Sequence, residues 1–119
     1  MIKKREEKRV SFRKLIICKC GDEMHPGFTQ DVSQHGIGIQ TMQRPVLNRR
    51  VRIALAVASD SIFLDGEVRW AHEYGGALEA KPHELGIYIP RPPADYLRLV
   101  ADCCDRAVPR SNPAYEPLK

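Results

Sequence analysis

Two short stretches of this sequence gather residue types that bind phosphates and purines. In the first, Arg5 and Arg9 stand four apart, a spacing that turns both side chains to one side whether the segment is helical or extended. Each guanidinium is a planar fork of N–H donors. It meets two phosphate oxygens, or the O6 and N7 acceptors on the Hoogsteen edge of guanine, with paired hydrogen bonds. The second stretch is Asp31-Val32-Ser33-Gln34-His35-Gly36. Asp31 and Ser33 are two apart and share a face in an extended strand. A carboxylate accepts both N1–H and N2–H of guanine, a donor pair that adenine lacks, and a serine hydroxyl satisfies a neighbouring base or phosphate atom. Gly36 supplies a tight turn and lets the backbone approach a flat ligand closely. Taken singly, each stretch has a plainer reading. A solvated basic tail readily contains R-x-x-x-R, and an Asp/Ser hexapeptide forms an ordinary β-turn by bonding its own backbone.

The elements that must hold these residues are read from the hydrophobic pattern. At 119 residues, 43% hydrophobic and 29% charged, the chain has the size and composition of one globular domain with one core. Short alternating segments recur about every ten residues between turn signals, which favours an all-β barrel or sandwich. Val10, Phe12, Ile16 and Cys18 line one face of a first strand, interrupted by Lys14 and closed by Gly21-Asp22. A second strand runs from about Gly27 to Val32, and Ser33 to Gly36 turns the chain into a third carrying Ile37 and Ile39. Val51, Ile53, Leu55 and Val57 define a fourth, and Ile62, Leu64, Val68 and Trp70 a long fifth in which Gly66 suggests a bulge or bend. Leu85, Ile87 and Ile89 form the last. The period then changes to steps of three and four through Tyr96, Leu97, Val100, Cys103, Cys104 and Ala107, which predicts an amphipathic helix over 94–107 lying against the barrel. The expected organisation is a basic ligand-binding arm at 1–9, barrel and helix at 10–108, and a disordered tail at 109–119 rich in proline.

Charge is concentrated rather than spread. Residues 1–20 hold eight Lys or Arg against Glu6 and Glu7, so although the net charge is +4 the other 99 residues are slightly acidic. Such an arm attracts a phosphate-bearing partner. Four cysteines and four histidines raise the question of a metal, but Cys18-Lys19-Cys20 and Cys103-Cys104 lack the C-x-x-C spacing that wraps ligands around zinc; we expect reduced, partly buried thiols and no metal. No grouping of nucleophile, base and orienting residue points to an enzyme. The longest apolar run, Ile53 to Ala58, falls far short of a membrane span. Without an apolar stretch after the basic N-terminus, the chain is expected in the cytosol.

The two stretches together resemble the signature of the PilZ domain family, R-x-x-x-R followed after about twenty residues by [D/N]-x-S-x-x-G. Arg5, Arg9, Asp31, Ser33 and Gly36 fill all five positions, with 21 residues between Arg9 and Asp31. Gly66-Glu67-Val68-Arg69-Trp70 is similar to the family's G-x-V-x-W strand, and Gly86-Ile87-Tyr88-Ile89 to its closing G-h-x-h strand. The resemblance implies a six-stranded antiparallel β-barrel of PilZ type with a C-terminal helix and a flexible basic arm. It also implies a cytoplasmic receptor for the second messenger cyclic di-GMP, with no further cofactor. Such a receptor signals to a partner protein in flagellar, pilus or polysaccharide machinery, in control of motility or biofilm. Lys4, where many members carry an arginine, is a further candidate contact. Trp70 is another as a stacking surface for guanine, although its register with Ile62, Leu64 and Val68 places it in the core. The rival readings are a small barrel that grips nucleic acid with its basic arm, and a docking module that binds no ligand.

Five basic residues within positions 1–9 repel one another until a dianionic ligand neutralises them, so the arm is expected to gain order on binding. Amide exchange across residues 3–11 should slow when cyclic di-GMP is added. Equal protection with and without ligand would sink the wrapping mechanism.

Overall fold

The computed structural model describes residues 8–73 and 81–111. It contains β1 (Val10–Ser11), β2 (Leu15–Cys20), β3 (Glu23–Ser33), β4 (Gly36–Thr41), β5 (Arg50–Val57), β6 (Asp60–His72), β7 (His83–Tyr88) and helix α1 (Ala94–Ser111). Neighbouring strands run β3-β2-β5-β6-β7-β4, and β4 pairs back onto β3, so six antiparallel strands close a ring. The barrel and C-terminal helix expected from the sequence are the observed fold. β1 and β2 are the two halves of the expected first strand, lying end to end along the same edge of β3.

Alternation builds the interior. Ile16, Ile37, Ile39, Ile53, Leu55, Leu64, Leu85 and Ile87 point inward and are essentially shielded from water. Burying each such side chain contributes about 1.5–3 kcal/mol. Helix α1 closes one end with Tyr96, Val100 and Cys103, while Leu97, at the margin of that face, stays exposed. The helix runs on to Ser111, beyond 107. Apolar spacing reports only the face that meets the barrel, and a helix needs no such face for a further turn. Residues 112–119 lie outside the described residues.

Two irregularities decide which side chains face out. In β3 the pairing with β4 steps from Thr29↔Ile39 to Asp31↔Gly38, so Gln30 is an extra residue. In β6 the pairing with β7 steps from Val68↔Ile87 to Trp70↔Gly86, so Arg69 is an extra residue. Each insertion reverses the facing of everything beyond it. The bulge therefore falls at Arg69 and not at Gly66, which keeps regular pairing with Val51. Gly66 serves a close approach instead: a Cβ there would lie 2.5 Å from the Tyr88 carbonyl oxygen.

The break between β1 and β2 is filled by one buried hydroxyl. Thr29 Oγ1 accepts the Lys14 N–H at 2.8 Å and donates to the Phe12 carbonyl, while the Thr29 N–H donates to the Lys14 carbonyl at 2.9 Å. Thr29 has no exposed surface. The cysteines Cys18, Cys20 and Cys103 are buried free thiols, and burial pushes Cys18 up to about 12. Among the described residues no three His, Cys, Asp or Glu side chains converge as metal ligands, and no helix is long and apolar enough to cross a membrane.

Replacing Thr29 by valine preserves shape but strands the Lys14 N–H and the Phe12 carbonyl. We expect a loss of about 1–3 kcal/mol in urea unfolding. An unchanged midpoint would mean that the hydroxyl is dispensable.

Candidate functional site

The arginine of the first motif and the aspartate of the second meet at the closed end of the β3–β4 hairpin. β1 pairs with the last residues of β3, Ser11 opposite Asp31 and Val10 opposite Val32, and this brings the preceding Arg9 alongside the hairpin. Arg9 Nη1 donates to Asp31 Oδ1 at 2.8 Å, with both side chains well exposed, 47% and 38%. Asp31 faces out because Gln30 is taken up as a bulge and does not count in the alternation. By plain alternation from Gly27 and Thr29, both buried, Asp31 would point into the barrel, and instead Val32 does, with no exposed surface.

Ser33 and Gly36 pair directly and close the hairpin around Gln34 and His35. Ser33 is buried, its hydroxyl donating to the Gly36 carbonyl at a long 3.4 Å. It therefore bonds its own hairpin, which is the plainer of the two sequence readings. Gly36 shows no left-handed backbone, so the turn does not require its conformational freedom. What it provides is room, since a Cβ would lie 3.2 Å from Ser33 Oγ and 3.4 Å from Arg9 Nη2. Beneath the hairpin, the Tyr96 hydroxyl of α1 lies 2.9 Å from the Ser33 carbonyl and 2.8 Å from that of Gly36. Burial pushes this phenol well above its ordinary pKa, so it remains a neutral donor. Arg5 and Lys4 lie outside the described residues. Arg13, the alternative partner for Arg9 in an R-x-x-x-R pair, sits instead over the Phe28 ring at 4.4 Å.

Trp70 is not in the core. The extra residue Arg69 turns it outward, and 46% of it is exposed. The registers then align Asp31 of β3, Gly38 of β4, Gly86 of β7 and Trp70 of β6 in one row across the outer wall. A Cβ on Gly38 would stand 2.7 Å from Asp31 Oδ1, and one on Gly86 only 2.0 Å from Trp70 Nε1. Carboxylate and indole therefore each lie over a neighbouring glycine and fill the space that a side chain there would take. Next to this row, Tyr88 stacks near His35 at 6.5 Å and carries Arg69 over its ring at 4.3 Å. Sequence reasoning missed Gly38 and the role of Gly86. The signal was available: Gly36 and Gly38 occupy successive outward positions of one strand, where side chains are normally tolerated.

With hydrogen-bond acceptors at one end and an exposed aromatic ring at the other, the row suits a planar, donor-bearing heterocycle. The adjoining guanidinium suits an anion attached to it. A family model for the PilZ domain matches residues 3–105. No curated protein sequence matches the chain. Solved structures share its fold at low identity. The PilZ domain of YcgR from Escherichia coli with c-di-GMP aligns at a TM-score of 0.70 and 15% identity, covering 92% of this chain and 98% of that one. The inhibitor of motility MotI/DgrA of Bacillus subtilis aligns at 0.69 and 14%, covering 91% and 53%. The MrkH–c-di-GMP complex of K. pneumonia aligns at 0.70 and 12%, covering 92% and 56%. The chain thus spans about half the length of the last two proteins.

The chain has one tryptophan, so the row reports on itself optically. Gly86→Ala must push the indole off the wall. Its emission should shift to the red and quench more readily with iodide, while far-ultraviolet circular dichroism stays unchanged. Unaltered emission would show that Trp70 does not rest on Gly86 in solution.

Proposed function

The chain belongs to the PilZ domain family, and on that premise we propose that it is a cyclic di-GMP receptor that signals to a partner protein. The observation that carries this reading is the junction of Arg9 and Asp31, one residue from each half of the family signature, at one end of the row that runs to Trp70. The YcgR and MrkH structures with c-di-GMP support it.

Binding proceeds by exchange of partners. An exposed ion pair such as Arg9–Asp31 is worth about 0–1 kcal/mol, whereas each charge-assisted hydrogen bond to a bound ligand contributes roughly 1.5–3 kcal/mol. A phosphate or the guanine Hoogsteen edge therefore draws the Arg9 guanidinium away. Asp31 is then released to accept N1–H and N2–H, with the base set against the exposed Trp70 indole. Arg5 supplies the second fork and Lys4 a further positive charge, while Ser33 and Gly36 shape the hairpin under the ligand. The chemistry is recognition and not catalysis, with no cofactor besides the ligand. The output is a changed surface where the arm folds over the barrel, read by a component of the motility, pilus or biofilm machinery. A nucleic-acid strand fits the row less well, because Asp31 and the nearby Glu84, which Gln30 approaches at 3.4 Å, put carboxylates where a strand needs cations.

Arg9→Ala should weaken cyclic di-GMP binding about tenfold or more, ~1.4 kcal/mol, in isothermal titration, with little change in stability. Cyclic di-AMP should bind poorly, since adenine N1 is an acceptor and would face the Asp31 carboxylate. Equal affinity for the two dinucleotides, or tighter binding of generic single-stranded DNA, would overturn the receptor reading in favour of bare electrostatics.

A further inference from the structure

The ring has a second outer wall, on β3, β2, β5 and β6, and there the alternation fails. An antiparallel strand with one solvated face should carry polar residues on it. Here the middle row across the four strands is Pro26, Ile17, Ala54 and Phe63. On one side of it Leu15 pairs with Phe28 and Ala56 with Ser61. Phe63 is 60% exposed, Leu15 48% and Phe28 40%. A contiguous apolar patch of this kind on a domain surface marks an interaction site.

Its relief is a groove. Ala54 and Ala56 on β5 form a low floor between the large side chains of β2 and β6. Two strand spacings make this floor about 9–10 Å wide, close to the roughly 10–12 Å diameter of an α-helix. Cations flank it at both ends. Lys19 and Arg52 pair across β2 and β5 at one end, and Arg13 lies over Phe28 at the other. Of the carboxylates on this wall, Asp65 is held by Arg52 through two hydrogen bonds of 2.9 and 3.2 Å, and Glu67, opposite Arg50 on β5, by Arg69 at 3.4 Å.

We propose that this wall docks an amphipathic helix of a partner protein, whose apolar side chains fill the alanine groove and whose flanking aspartates or glutamates meet Lys19 and Arg13. A helix laid in an apolar groove is a recurring mode of recognition, and the positive rim selects an acidic one. A second copy of this chain would bring like-charged rims together. An anionic lipid surface would meet Asp65 beside Phe63. The wall shares no residue with the Asp31–Trp70 row, so the inference stands whether or not cyclic di-GMP is the ligand. If it is, this wall is a surface through which the signal can leave.

The test uses the full chain, labelled with 15N, and two synthetic helical peptides of about five turns, each with leucines on one face, flanked by glutamate in one and by lysine in the other. The glutamate peptide should shift amides of β2, β5 and β6 on this wall and bind at least tenfold more tightly than its lysine twin. Ala54→Arg should weaken that binding at least tenfold, as should Phe63→Ser, an exposed change that avoids adding bulk, and cyclic di-GMP titrations of both variants should match the parent. Equal binding of the two peptides, no binding, or shifts confined to other strands would overturn the proposal. So would a concentration-dependent dimer abolished by Ala54→Arg in sedimentation, which assigns the wall to a second copy. Co-sedimentation with phosphatidylglycerol vesicles that Ala54→Arg abolishes would assign it to lipid. Loss of cyclic di-GMP binding alone bears on the receptor reading and leaves this one intact.

Discussion

A β-strand alternates its side chains with a strict period of two, and the functional surface of this barrel exists because that period is broken twice. Gln30 in β3 and Arg69 in β6 are single extra residues. Were Gln30 paired regularly, Asp31 would point among the buried Ile37, Ile39 and Leu85, where an ionised carboxylate is untenable. Were Arg69 paired regularly, Trp70 would turn into the barrel with Ile62, Leu64 and Val68. The two bulges sit on the strands at either end of the same row. Asp31 and Trp70 are turned outward together, in one row with Gly38 and Gly86. Bulges next to binding sites commonly re-aim a side chain in this way.

The same hairpin is held from two sides by forces of different character. From within, Tyr96 anchors the carbonyls of Ser33 and Gly36 with a buried phenol, an interaction that costs much to break because the carbonyls it satisfies have little access to water. From without, Arg9 reaches Asp31 through a solvated ion pair that is easily exchanged. The rigid contact fixes the shape of the site, and the weak contact keeps its charges matched until a ligand replaces one of them. Helix α1 reaches the site through Tyr96, which couples the hairpin directly to the C-terminal helix.

Alternation, turn residues and the final change of period made the strands, the all-β class and the helix legible, because each is a local pattern of residue types, while the closed barrel was implied by the family resemblance. Asp31, Ser33 and Gly36 were legible as a group for the same reason. What the pattern concealed was parity. Trp70 continues the register of Ile62, Leu64 and Val68 perfectly on paper, and nothing in the residue Arg69 announces an insertion; only pairing with β7 reveals it. The glycine at 66 drew the bulge to the wrong place because glycine relieves close backbone contact as readily as it permits a bend. Gly38 and Gly86 escaped notice because their value lies in side chains on neighbouring strands, which a linear reading does not bring together. The apolar outer wall was hidden likewise: Ala54, Ala56 and Phe63 look like ordinary strand residues until they are laid beside Ile17 and Pro26.

Closure of the ring by β3 and β4 has one more effect. Each of the six barrel strands has a neighbour on both sides, and the free edges among the described strands are short: β1, two residues long, and strand ends such as Glu23–Pro26 of β3 and Trp70–His72 of β6. The described strands thus offer only short stretches of unpaired backbone to another polypeptide. The barrel is shielded from edge-to-edge stacking and strand exchange, and equally it is denied the simplest way of recruiting a protein, which is to add a strand. Whatever reads this barrel must do so through side chains on its walls, so its choice of partners can be rewritten by a few surface substitutions without disturbing a single backbone hydrogen bond.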